Sequence, residues 1–173
     1  MGPTGPPRVS TWRAVLEAHD ALMRVYERDM RRACGISLAW FDVLIHLWEA
    51  PSGTLRMHEL ADTLLLSRSW LTRRIDGMAA AGLVRRSPAG DDRRGICATL
   101  TDQGRQVYKQ AARVHARSIH DNFAAHLSAA EAATIEGCFH RLERQARVAL
   151  SAQERSRRAT PPGRTGSDDR TFT

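Results

Sequence analysis

Lysine is almost missing from this sequence. Lys109 stands alone among 26 basic residues in a chain of 173, so the positive charge rests on guanidinium groups. Their planar fork suits phosphate and guanine better than an ammonium does. A biased base composition of the coding DNA would give the same pattern, so the bias alone chooses no partner. Long apolar runs are absent too. Leu64 to Leu66 and Met78 to Ala81 fall far short of the ~20 residues that cross a bilayer, which excludes a membrane span. Cysteine is scarce: Cys34, Cys97 and Cys138 are widely separated and no apolar signal segment stands at the start. That argues against a disulfide framework and for a reducing cytoplasm.

Catalytic and metal motifs are missing as well. There is no Gly-rich phosphate loop, nucleophile elbow, catalytic carboxylate pair or Cys/His metal spacing, and no two of the histidines at 19, 46, 58, 115, 120, 126 and 140 are four residues apart. An enzyme, a cofactor and a metal site therefore have no support. What is present is the composition of a soluble globular protein, 42% hydrophobic and 26% charged. The formal charge of +7 and a pI near 10.5 point to an anionic partner.

Proline, glycine and aperiodic polar residues mark residues 1–9 and 151–173 as disordered tails around a domain at 10–150. Between them the apolar spacing predicts a helix from Ser10 to Ala33, ended by Gly35, and a second after Ser37 that is buried on most sides. Two short helices follow, Met57 to Leu64 and Ser69 to Ala81. Strands Leu83 to Pro88 and Ile96 to Thr101 then enclose a charged turn from Ala89 to Gly95, and a helix runs on to about Leu127. A last helix opens at Ser128 with Glu131 in capping-box spacing and carries Ile135, Phe139, Leu142 and Ala146 as its apolar stripe. The fold class is mainly α with a small β-hairpin.

Residues 57–78 lie on a helix-turn-helix pattern. Ala61 is the small residue inside the first helix, Leu60, Leu64, Leu66 and Leu71 fill the crossing, and Ser67 is placed to cap the second helix. Leu71, Ile75 and Met78 face inward, which turns Arg68, Ser69, Thr72, Arg73 and Asp76 outward, where arginine can fork onto guanine and hydroxyls can reach bases or phosphates. The hairpin loop adds Arg93 and Arg94 for phosphates or the minor groove, with Asp92 placed to brace an arginine.

The run Leu83-Val84-Arg85-Arg86-Ser87-Pro88-Ala89-Gly90-Asp91-Asp92-Arg93-Arg94-Gly95-Ile96-Cys97-Ala98-Thr99-Leu100-Thr101 resembles the wing of the MarR family, in which Asp-x-Arg is followed by Leu-Thr. Leu55 to Ala61 and Leu66 to Arg73 resemble its helix-turn-helix, so the likeness covers roughly Thr11 to Leu150. Arg74 stands where the family usually has an apolar residue, and Trp70 where it often has a small one.

The resemblance implies a winged helix-turn-helix inside an α-helical homodimer, with 10–35 and 102–150 as dimerisation helices and 54–101 as the DNA-binding winged helix. The broad apolar stripes of the end helices agree, since they need a partner surface, and a two-fold dimer calls for a near-palindromic operator. The expected DNA contacts are Ser67, Arg68, Ser69, Thr72, Arg73 and Arg74 on the helix and Asp92, Arg93 and Arg94 on the wing. The expected function is a sequence-specific repressor of transcription, released by a small aromatic effector in a cleft where Trp12, His46 and Trp48 are the candidate lining. Two other readings stay open: an interaction module that docks an acidic protein, and a redox sensor acting through Cys34, the one cysteine near arginines and a helix end.

Overall fold

The computed structural model describes residues 7–89 and 92–159, with side chains for 9–89 and 95–152. The chain divides into two compact units, one up to His126 and one from Leu127 onward.

Helix α1 (Pro7–Cys34) takes in Pro7, Arg8 and Val9, which composition alone assigns to a tail. Proline suits a first helical turn, where its missing N–H would have no partner in any case. Val15, Leu22, Tyr26 and Met30 form the inward stripe. Gly35 then closes the helix at φ +70°, a left-handed conformation that costs glycine nothing. Helix α2 (Leu38–Glu49) is capped by Ser37, whose Oγ accepts the Trp40 N–H at 3.2 Å. Glu27 of α1 also accepts the Leu38 N–H at 2.7 Å, so the first helix holds the start of the second. Phe41, Val43, Leu44 and Leu47 of α2 are buried, as its thin polar face predicts.

A 3-10 turn at Pro51–Gly53 leads into a short strand, β1 (Thr54–Arg56). Helices α3 (Met57–Thr63) and α4 (Arg68–Ala80) follow, joined by a turn in which Leu65 adopts φ +53°. The hairpin is β2 (Val84–Ala89) and β3 (Asp92–Leu100). Two corrections arise here. The sheet has three antiparallel strands in the order β1-β3-β2, because Thr54 pairs with Thr99 and Arg56 with Cys97. The wing also pairs further out than the charged composition of 89–95 suggests: β3 begins at Asp92, opposite Ala89, with a register irregularity between Pro88 and Ala89.

Helix α5 (Asp102–Asn122) ends earlier than its apolar pattern suggests, at Phe123 (φ −132°, ψ −64°), and the pattern continues through a 3-10 turn at Ala124–His126. The core of this first unit joins α1, α2, the helix pair, the sheet and α5; Met30, Val43, Leu44, Leu47, Leu60, Leu71, Ile75 and Met78 are fully buried within it. In the second unit α6 (Ala129–Ala159) opens on the expected capping box, with Glu131 accepting the Ser128 N–H at 2.9 Å and Ser128 Oγ accepting the Glu131 N–H at 3.3 Å. It runs on through residues 151–159, which composition assigns to the second tail.

Candidate nucleic-acid interface

The helix-turn-helix is built from the inside. Leu60 and Ala61 of α3 and Leu71, Ile75 and Met78 of α4 are buried, while Leu64 and Leu66 pack against that core from the turn. With the inward face of α4 fixed, its 100° step per residue sends Ser69, Arg73 and Asp76 the other way, and all three are exposed. Ser67 caps the helix by accepting the Trp70 N–H at 3.4 Å, and its Oγ lies 3.2 Å from that of Ser69. Thr72 donates its hydroxyl hydrogen to the Arg68 carbonyl at 2.8 Å, so in this rotamer it meets a ligand as an acceptor. Arg68 is exposed, and neither it nor Arg73 forms an ion pair with a described residue. Arg74 sits half-buried on the flank of the core stripe. The helix start thus gathers two uncommitted guanidinium groups, three hydroxyls and the positive end of a helix dipole.

The wing is fixed to this helix at both ends. Arg86 of β2 donates to the Asp76 carboxylate of α4, in a contact that is both an ion pair and a hydrogen bond. Sequence reasoning placed the bracing carboxylate at Asp92. The described brace is Asp76, and the side chains of Asp92, Arg93 and Arg94 lie outside the described residues. At the other end Leu100 is buried, and Thr101 caps α5 by accepting the Gly104 N–H at 2.9 Å while its hydroxyl lies 2.7 Å from the Gly82 carbonyl just after α4. The Leu-Thr pair is therefore a joint between α4, the wing and α5.

The residues expected to line an effector cleft are not gathered in one place by any described contact. Trp12 is exposed on α1. Trp48 stacks on Tyr108 with ring centroids 4.7 Å apart and has the Lys109 ammonium 5.6 Å above it. His46 lies half-buried with Nε2 4.0 Å from the Asp42 carboxylate. A cavity of about 740 Å³ lies instead between α1 and α5, where Arg32, Lys109, Arg113 and Arg117 surround Asp29 and Ser118. Ser118 donates to Asp29 at 2.6 Å, and that bond, with Arg28 beside it, holds the carboxyl below its ordinary range. Burial pushes the Cys34 thiol up, which disfavours the thiolate a redox sensor needs.

Sequence reasoning missed β1, Arg86 and the aromatic chain through the first unit. His115 meets Tyr26 and Phe41 edge-on at 5.5 and 5.2 Å, and Phe41 stacks on Tyr108 at 6.0 Å. Among the described residues no group of three or more potential ligands is placed to hold a metal, and no helix is long and apolar enough to cross a membrane.

Comparison with known proteins agrees with this geometry. The sequence model described as MarR family matches residues 35–95, from the end of α1 into the wing. The multiple antibiotic resistance protein MarR of Escherichia coli (strain K12) is 32% identical over 78 residues, covering 45% of this chain and 54% of that protein. The Salmonella typhimurium protein of the same name is 29% identical over 85 residues, covering 49% of this chain and 59% of that one. The chain thus spans little more than half the length of these curated relatives.

The structural likeness extends further. AbsC, a MarR family transcriptional regulator from Streptomyces coelicolor, superposes with a TM-score of 0.74 at 26% identity, over 85% of this chain and 99% of that one. A second regulator of that family from Streptomyces coelicolor, solved in complex with DNA, has a TM-score of 0.73 at 26% identity, over 82% of this chain and 90% of that one. The helix-turn-helix and wing of this chain are thus similar in sequence to those of the MarR family, and the surrounding helices share the fold of its solved regulators.

Proposed function

We propose that the protein is a homodimeric, sequence-specific DNA-binding repressor of transcription. The observation that carries this reading is the start of α4, where Arg68, Ser69 and Arg73 are exposed on a capped helix whose opposite face is buried in the core. Such an element enters a major groove N-terminus first, with arginine forking onto guanine and hydroxyls reaching bases or phosphates. The relative solved with DNA supports the same reading. Arg93 and Arg94 on the wing are assigned to the flanking backbone or minor groove, and Arg74 and Ser67 to phosphates at the edge of the site.

The dimer is proposed from the outer faces of the end helices. On α1, Val9, Trp12, Leu16 and Met23 are exposed at spacings of three, four and seven, and on α6 Phe139 and Leu142 are exposed within a 3-4 apolar pattern. These stripes suit packing against a second copy. Two copies present two reading helices, which calls for a near-palindromic operator with half-sites about one turn of duplex apart. Release by a small molecule belongs to the proposal as well. The α1–α5 cavity has the volume of a small-molecule site, and its four cationic side chains against Asp29 and Asp121 suit an anionic occupant. The acidic-protein reading has no observation in its favour.

Footprinting on the DNA beside the protein's own coding region tests the reading. The expected result is one protected stretch with two inverted half-sites whose centres lie ~10 base pairs apart or a multiple of it. Uniform, sequence-blind protection contradicts it.

A further inference from the structure

Trp70 is the third residue of α4 and leaves 63% of its surface exposed. A single exposed apolar residue needs no explanation in general; here the position gives it meaning. Leu71, Ile75 and Met78 define the inward direction, and Trp70 lies on the outer flank of the helix together with Arg73, three residues on, and Gly77, seven on. Among the described residues no aromatic ring or cation meets the Trp70 ring. At Gly77, two turns further along the same flank, an added Cβ would lie 3.2 Å from the Trp40 ring, so the flank turns against α2 there while its first turn, at Trp70, stays exposed. The largest apolar side chain of α4 is thus held in its first turn, beside the hydroxyls and guanidinium groups that face DNA in the proposed function, on which this inference rests.

The chemistry of the groove selects what the ring meets. Stacking closes the faces of the bases, and among the donors and acceptors of the major-groove edges the C5-methyl group of thymine is the one apolar group that projects into the groove. An indole has one polar hydrogen and a broad apolar surface. We infer that Trp70 packs on a thymine methyl next to the base read by Arg73, making it a specificity-determining residue for thymine in each half-site. Burying one methyl group corresponds to about a fourfold change in affinity.

The test uses the full chain. A site is first selected from a randomised duplex pool, and each thymine of one half-site is then replaced singly by deoxyuridine, which removes only the methyl group. Affinities for these duplexes are measured by fluorescence anisotropy with the wild type and with Trp70→Ala, after thermal melting shows that both are folded. One replacement is expected to weaken the wild type about fourfold and to leave Trp70→Ala unaffected. A selected site without thymine in its half-sites, replacements that are all neutral for the wild type, or equal losses in both proteins overturn the inference and leave DNA binding standing. If no sequence is selected at all, DNA reading fails with it.

Discussion

His115 shows how far one side chain can depend on its surroundings. Its ring lies between Tyr26 and Phe41, its Nδ1 is buried with no hydrogen-bond partner among the described residues, and burial holds its pKa below the ordinary histidine range. The unfolded chain, with a histidine pKa of about 6.5, then binds the proton more readily than the folded one. The contribution of neutral His115 to stability is complete above about pH 6.5 and is lost as pH falls through the lower folded value. Urea midpoints at pH 7.5 and pH 5 are expected to drop more for the wild type than for His115→Phe, which keeps an aromatic ring and loses the titration. Equal drops would contradict the assignment. This residue was not legible in the sequence, where it is one of seven scattered histidines, because its environment comes from three helices that only the fold brings together. Ser67 was legible, since an N-cap is a local bond between a side chain and its own helix.

Elements with a strong local period were legible on the same grounds. Leu71, Ile75 and Met78 fix the orientation of α4 by their spacing, and the structure buries all three. Strand β1 was hidden because Thr54, Leu55 and Arg56 are too few to show alternation, and their pairing with β3 is set by residues more than forty positions away. The bracing of Arg86 by Asp76 was hidden for a similar reason: it joins a helix to a strand across a turn whose geometry the composition does not fix. The junction of wing and α5 offers a test at this scale. A Cβ at Gly104 would lie 2.0 Å from the Leu83 carbonyl oxygen and 2.9 Å from Leu100 Cδ1. Alanine ordinarily favours a helix by about 1 kcal/mol over glycine, yet Gly104→Ala is expected to destabilise by about 2 kcal/mol or more because the clash is with backbone. A denaturant midpoint at or above that of the wild type would show that the joint is looser than described.

At the scale of the whole molecule, charge and symmetry carry the argument. A chain with a formal charge of +7 binds any polyanion to some degree, and that attraction weakens with salt by a slope near 0.9 per phosphate neutralised. Charge alone therefore cannot distinguish a regulator from a basic protein that adheres to DNA. The distinction lies at the start of α4, where Arg68 is exposed and Arg73 is held outward by a helix whose other face is locked in the core. The helix-turn-helix was legible in the sequence because the same few residues that pack it also fix which side of α4 is exposed. The α1–α5 cavity was not, since it joins residues about eighty positions apart. The most direct measurement is the affinity of wild type and Arg73→Ala for the selected duplex and for a scrambled one, at two or more salt concentrations. The wild type is expected to prefer the selected duplex by at least ~10³-fold, and Arg73→Ala to lose ~1–3 kcal/mol on that duplex with little change on the scrambled one. Equal wild-type affinity for both duplexes, or equal losses on both from the substitution, would contradict that expectation.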